Sequence, residues 1–192
     1  MGDVLPIRTE RLVLRAWDAA RDLAAFHAIC SDSLVMATLG TPLTREETAA
    51  AIARMEAMQA EHGHCFWAVE RGEDARLIGW CGLIRGRTGP VAGKAELGWR
   101  LASDCWGQGY ASEAARASRD WAFANLGDDA LYAITSLGNV RSRAVMERLG
   151  MTYQPDLDFA HPDVPHYSPL CPHVTYRLAR GDHSARPGVA PA

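Results

Sequence analysis

Trp106-Gly107-Gln108-Gly109-Tyr110-Ala111 is the stretch on which the reading of this chain turns. It follows a strand-like run, residues 94–101, that breaks at Ser103 and Asp104, and it opens a segment of strong helical composition, residues 111–125. Glycines at a strand-to-helix junction let the backbone come close to a ligand and leave several N–H groups exposed at the positive end of the helix dipole. That makes an anion site, with Tyr110 and Ala111 presenting the next amides. The same pattern also serves packing, and the turn alone leaves both readings open. It is neither a G-x-x-x-x-G-K-[ST] phosphate loop nor a G-x-G-x-x-G dinucleotide turn, and it lies past the middle of the chain.

The segments before the turn read as a meander. Residues 7–17, centred on Leu12-Val13-Leu14, form a first strand, and Asp18 is placed to cap a helix over 19–30 with Leu23, Phe26, His27 and Cys30 inward. Thr44 and Glu47 make a capping box before a long Ala- and Met-rich helix ending near Gly63. Residues 64–70 and 77–84 flank a polar turn as an antiparallel hairpin, and 86–93 is a loop. After the turn and its helix come a strand at 131–135, a helix over 139–149 stopped by Gly150, a strand beginning at 151–154 and a last strand at 174–178. Residues 155–172 hold half of the chain's ten prolines and read as a structured but irregular loop. These elements predict one α/β (α+β) domain over 1–180 and a frayed, disordered tail over 181–192.

Composition narrows the class. With 192 residues, 48% hydrophobic and 22% charged, the chain is large enough for a continuous core. A formal charge of −3 without any like-charge block argues against nucleic acid as a partner. No apolar run is long enough to span a bilayer and no signal peptide is legible, so no membrane partner and a cytoplasmic location are expected. Five dispersed cysteines, without a C-x-x-C pair, read as reduced thiols. His62, His64 and Cys65 are close in sequence, but a helix-to-strand junction would point them apart, so no metal is expected.

Four pieces in order resemble the GCN5-related N-acetyltransferase (GNAT) superfamily, and within it the ribosomal-protein serine/alanine (RimJ/RimL-like) branch. They are Ile7-Arg8-Thr9-Glu10-Arg11-Leu12-Val13-Leu14-Arg15, Glu96-Leu97-Gly98-Trp99-Arg100-Leu101, the turn with Ser112-Glu113-Ala114, and Asn139-Val140-Arg141-Ser142 running into Met146-Glu147-Arg148-Leu149-Gly150-Met151. The resemblance implies a mixed, mostly antiparallel twisted sheet flanked by helices, whose fourth and fifth strands splay. It implies acetyl-CoA as co-substrate, its pantetheine arm pairing with backbone near Trp99 and Leu101, its diphosphate on Gly107, Gln108, Gly109, Tyr110 and Ala111, and a hydrogen bond from Asn139. Trp106 stands where the superfamily usually has Arg or Gln and this branch commonly an aromatic.

Amide formation from a thioester needs a neutral amine, a stabilised oxyanion and a proton for the departing thiolate. Glu96 is the candidate base by its place in the fourth strand, with Glu70 in reserve; Glu96 could equally pair with Lys94 or Arg100. Asn139 could be only a helix cap. Many relatives carry a proton-donating tyrosine later in this helix, where this chain has Met146. Ser142 is the substitute donor, or else a helix-surface residue. Asp156, Asp158 and Asp163 could attract a cationic acceptor, although loop acids are commonly just solvated. The leading expectation is acetyl transfer to a primary amine, on a peptide N-terminus or a small molecule; the rival is a non-catalytic acyl-CoA sensor. Cys105 is the one residue that could support an acyl-enzyme instead. The oligomeric state is not fixed by the sequence, and a homodimer stays open.

Overall fold

The computed structural model describes residues 5–184. The expected first strand is two: β1 (Ile7–Arg8) and β2 (Leu12–Arg15). The chain leaves the sheet between them because the Thr9 hydroxyl and the Arg11 amide both bond to Glu113, at 2.6 and 2.9 Å. Helix α1 (Ala19–Cys30) starts as expected on Asp18, whose side chain accepts from the amides of Ala20 and Arg21, and it buries Phe26 and Cys30. A short helix, α2 (Ser33–Met36), follows on an Asp32 cap and was not legible, since four residues show no helical period. Helix α3 (Arg45–His62) carries the Thr44–Glu47 capping box and ends at Gly63 in the left-handed region.

Strands β3 (Phe66–Arg71), β4 (Leu77–Arg85) and β5 (Ala95–Leu101) form an antiparallel meander. The turn leads into α4 (Tyr110–Asn125), then β6 (Ala130–Ser136), α5 (Val140–Arg148), β7 (Thr152–Tyr153), β8 (Phe159–Ala160), β9 (Pro172–Ala179) and α6 (Arg180–Ser184). The expected tail therefore begins with α6, and residues 185–192 lie outside the described ones. Strand order is β1-β2-β3-β4-β5-β6-β9-β7, with β8 beside β9. Every pairing is antiparallel except β5 with β6.

Helices cover both faces. Neighbouring β4 residues make the point: Trp80 meets Phe26 of α1 at 5.0 Å between ring centroids, whereas the Cys81 thiol meets Ser118 of α4 at 3.6 Å. Successive strand side chains alternate faces, so the two contacts lie on opposite sides of the sheet. The core between sheet and helices is apolar and continuous, with Trp67, Leu83, Ala114 and Ala115 fully buried. Among the described residues no helix is long and apolar enough to cross a membrane.

Candidate active site

Strand β5 defines the site. The Ala102 amide donates to Ile78 at 2.9 Å, which fixes Leu101 and Gly79 as a pair without mutual hydrogen bonds. Alternation along the ladder then turns the backbone groups of Leu97, Trp99 and Leu101 away from β4 and toward β6. Strands β5 and β6 pair only where Glu96 faces Tyr132. Beyond that point they splay, as expected of the fourth and fifth main strands, and the Trp99 amide and carbonyl have no strand partner among the described residues. The Leu101 carbonyl is taken by the Trp106 indole N–H at 3.0 Å, so what Leu101 offers the gap is its amide.

The gap is a cleft of about 160 Å³ lined by Glu96, Gly98, Trp99, Arg100, Phe66 and Trp80 on one side and by Thr135, Ser142 and Met146 on the other. Gly98 leaves room there: a Cβ at that position would lie 2.7 Å from the Phe66 ring, which would have to shift. Glu96 is half-buried and has no hydrogen bond or ion pair among the described residues, and desolvation pushes its carboxyl up to about 7. The pairings with Lys94 or Arg100 do not form. Lys94 lies over the Tyr132 ring at 4.5 Å, and Arg100 over the Trp80 ring at 4.9 Å. Glu70 is elsewhere, held by Arg15 at 2.9 Å and by Arg21, in a network with Asp22.

Asn139 caps α5, accepting from the Ser142 amide at 3.2 Å, and is 7% exposed. That contact fixes which end of its amide is oxygen. The opposite end donates to the Thr135 hydroxyl at 2.9 Å and the Ser142 hydroxyl at 3.2 Å. Ser142 lines the cleft, and because its Oγ accepts from Asn139, its own hydrogen is not committed to that contact. Met146, where a tyrosine would have been the donor, is 2% exposed and offers no proton.

At the far end of β5 the glycine turn leaves a run of backbone amides free. Gly107 and Gly109 take φ of 75° and 84°. The amides of Gly107, Gln108, Gly109, Tyr110 and Ala111 donate to no protein acceptor among the described residues, and the first helical bond runs from the Glu113 amide to Gly109 at 3.0 Å. Five free amides at a helix start suit a diphosphate, which is the fit that acetyl-CoA requires. Arg11 braces the turn: Nη1 donates to the Gln108 carbonyl at 3.0 Å, Nη2 lies 2.6 Å from Glu113, and the guanidinium covers the Tyr110 ring at 4.6 Å. Burial works against the Glu113 carboxylate, but bonds from Thr9 and Arg11 outweigh it and hold its pKa below the usual range. The opening motif thus folds back onto the turn, a role that sequence reading did not assign. Arg141 adds a cation over the Trp106 ring at 4.5 Å, and Arg143 donates to the Tyr176 hydroxyl at 3.2 Å.

The remaining candidates lie apart from the cleft. Cys105 is 2% exposed, and burial together with the Asp104 carboxylate raises its thiol pKa, which leaves it a poor nucleophile. Asp158 accepts from the Tyr153 hydroxyl in the late loop. His64 is buried with Nδ1 3.0 Å from the Leu83 carbonyl. Among the described residues, no group of three or more His, Cys, Asp or Glu could hold a metal ion.

Comparison with known proteins agrees with this geometry. The family model for the acetyltransferase (GNAT) domain matches residues 11–152. An acetyltransferase structure from Agrobacterium tumefaciens is 32% identical and superposes with a TM-score of 0.74 over 93% of this chain and 96% of its own. The uncharacterized N-acetyltransferase YnaD of Bacillus subtilis is 29% identical over 147 residues, 76% of this chain and 81% of that protein. The RimL ribosomal L7/L12 α-N-protein acetyltransferase, solved with coenzyme A, shares the fold at TM-score 0.73 and 18% identity, covering 91% of this chain and 97% of that one.

Proposed function

The chain belongs to the GNAT acetyltransferase family, and we propose that it transfers an acetyl group from acetyl-CoA to a primary amine, by direct attack within a ternary complex. The acceptor is a peptide N-terminus or a small molecule, and the acting unit is one domain over 1–180 in the cytoplasm. One observation carries the reading: an unpaired, half-buried Glu96 carboxyl with a pKa near neutrality stands where β5 and β6 part. A base is most useful when its pKa lies close to the working pH. A cleft that only sensed acyl-CoA would have no use for a desolvated, partnerless carboxylate.

Acetyl-CoA supplies the activated acyl group. Gly107 to Ala111 hold the diphosphate through backbone amides, and the free edge at Trp99 and Leu101 pairs with the pantetheine arm, with the Trp99 amide available to polarise the thioester carbonyl. Glu96, directly or through a water, takes the proton that an alkylammonium must lose before it can attack. The C–N bond forms, the C–S bond breaks, the nitrogen gives up its second proton to the departing sulfur, and Ser142 hydrogen-bonds that sulfur as it becomes the CoA thiol. Asn139 acts through Ser142 and Thr135, holding both hydroxyls in place.

The test is initial-rate kinetics of amine-dependent CoA release, with acetyl-CoA binding measured separately by titration calorimetry. Intersecting double-reciprocal lines are expected. Cys105→Ala should keep turnover within about threefold of wild type, because no acyl-enzyme is formed. Parallel lines, with turnover lost and CoA affinity kept in that variant, would replace direct attack by a ping-pong route. Tight acetyl-CoA binding without release for any amine would leave the sensor reading.

A further inference from the structure

The cleft contains a cation that acetyl transfer leaves without a task. Arg100 lines it on the same face as Glu96, its guanidinium carbon 4.9 Å from the Trp80 ring centroid and its Nη1 donating to the Cys30 sulfur at 3.2 Å. Its Nε is buried and has no hydrogen-bond partner among the described residues. No carboxylate among them pairs with it: Asp32 is engaged by Ser103, Asp104 by Arg76, and Glu96 makes no ion pair. Cys30 is a buried thiol, not a counter-ion. Buried donors are nearly always satisfied, so an arginine left partly unsatisfied in a cleft points to an absent anion. The cation–π contact with the indole also restrains the guanidinium in advance, and its fork of donors suits a carboxylate.

Resting on the acetyltransferase reading, we propose that the acceptor amine itself carries an anionic group, a carboxylate above all, several bonds from its nitrogen, and that Arg100 binds that anion. A simple alkylammonium entering this cleft meets a like charge; an amine with a carboxylate completes an ion pair. Spacing sets the length of the acceptor. Glu96 and Arg100 are four residues apart on one strand face, about 13 Å at ~3.3 Å per residue, with Gly98 between them beneath Phe66. The Cα atoms of base and anion receptor therefore stand at opposite ends of the strand segment that floors the cleft. A longer ω-amino acid spans it, as does a peptide N-terminus followed by an acidic side chain, whereas glycine is too short.

The experiment compares kcat/KM for matched acceptors with saturating acetyl-CoA. Glycine, γ-aminobutyrate and δ-aminovalerate are each set against their carboxamides, and a dipeptide amide with glutamate in second position against its glutamine counterpart. The longer acids should exceed their neutral partners by roughly a hundredfold, the size expected from one desolvated charge pair. Arg100→Gln should collapse that preference toward parity, the acid losing far more than its carboxamide, and Arg100→Lys should restore part of it. CoA affinity measured by calorimetry reports whether each variant is folded. A preference confined to the free amino acids assigns a small acceptor, and one confined to the dipeptide assigns a peptide N-terminus; both support anion recognition. Equal turnover of acids and carboxamides by the wild type, or an Arg100→Gln variant that lowers both by the same factor, overturns the proposal and leaves acetyl transfer standing. Bound acetyl-CoA with no release for any acceptor overturns both.

Discussion

Glu96→Gln is expected to lower kcat/KM for amine acetylation by roughly a hundredfold to ten-thousandfold, the range for loss of a general base, while making the protein more stable above neutrality. The two effects have one cause. The Glu96 carboxyl is raised from an ordinary 4.5 to about 7 by desolvation. Below the ordinary value both folded and unfolded chains hold the proton, and the group is neutral in its effect on stability. Between the two values the unfolded chain releases the proton and the folded chain keeps it, so stability falls as pH rises. Above about 7 the folded protein holds a desolvated carboxylate at its full cost, up to about 3 kcal/mol. A glutamine carries none of that cost, so its melting temperature should match wild type below about pH 4.5, pull ahead as pH rises to about 7 and keep a constant margin above that.

Activity runs opposite to stability over the same interval. Wild-type kcat/KM should climb through about pH 7 as Glu96 deprotonates and then level off, and Glu96→Gln should lack that limb. A variant that keeps both wild-type turnover and the neutral limb would remove Glu96 from the chemistry. A melting difference that does not change with pH would deny the desolvation on which its role rests. Glu70→Gln is the matched control. Its carboxylate is bound by Arg15 and Arg21, so its loss should lower stability without touching the pH profile.

The sequence carried the helix boundaries and the turn because both have local signatures. Thr44 with Glu47, Asp18 before an Ala-rich run, and Gly150 after Leu149 are each readable within a few residues. Contacts made across the chain are not. The bond network from Thr9 and Arg11 to Glu113 joins residues more than a hundred positions apart, and nothing near Thr9 foretells that the first strand must break there. The same holds inside the site. Glu96 could be placed on its strand, but its freedom from Lys94 and Arg100 depended on Tyr132 and Trp80 offering those cations aromatic faces. Ser142 and Asn139 were both legible as residues of a helix start. That the cap also orients the Ser142 hydroxyl follows only from where Thr135 sits at the end of β6.

Gly109→Val should abolish measurable CoA binding, with at least a hundredfold rise in Kd, and leave the fold intact. Gly109 has φ of 84°, a conformation that costs an L-residue roughly 1–2 kcal/mol and a β-branched one more. An added Cβ would also stand 3.4 Å from Arg11 Nη2, the atom paired with Glu113 at 2.6 Å. The backbone can escape that strain only by rotating the peptide units on either side of residue 109. Those units carry the Gly109 and Tyr110 amides, so relief of strain and loss of the anion site are the same movement. Gly63 separates strain from function: it has φ of 75° with open space around its Cα, and it ends α3 far along the chain from the turn. Gly63→Val should therefore lower the melting temperature by a similar amount while CoA affinity stays at the wild-type value. If Gly109→Val instead binds CoA as the wild type does, the five free amides are not the diphosphate site, and the assignment built on them falls.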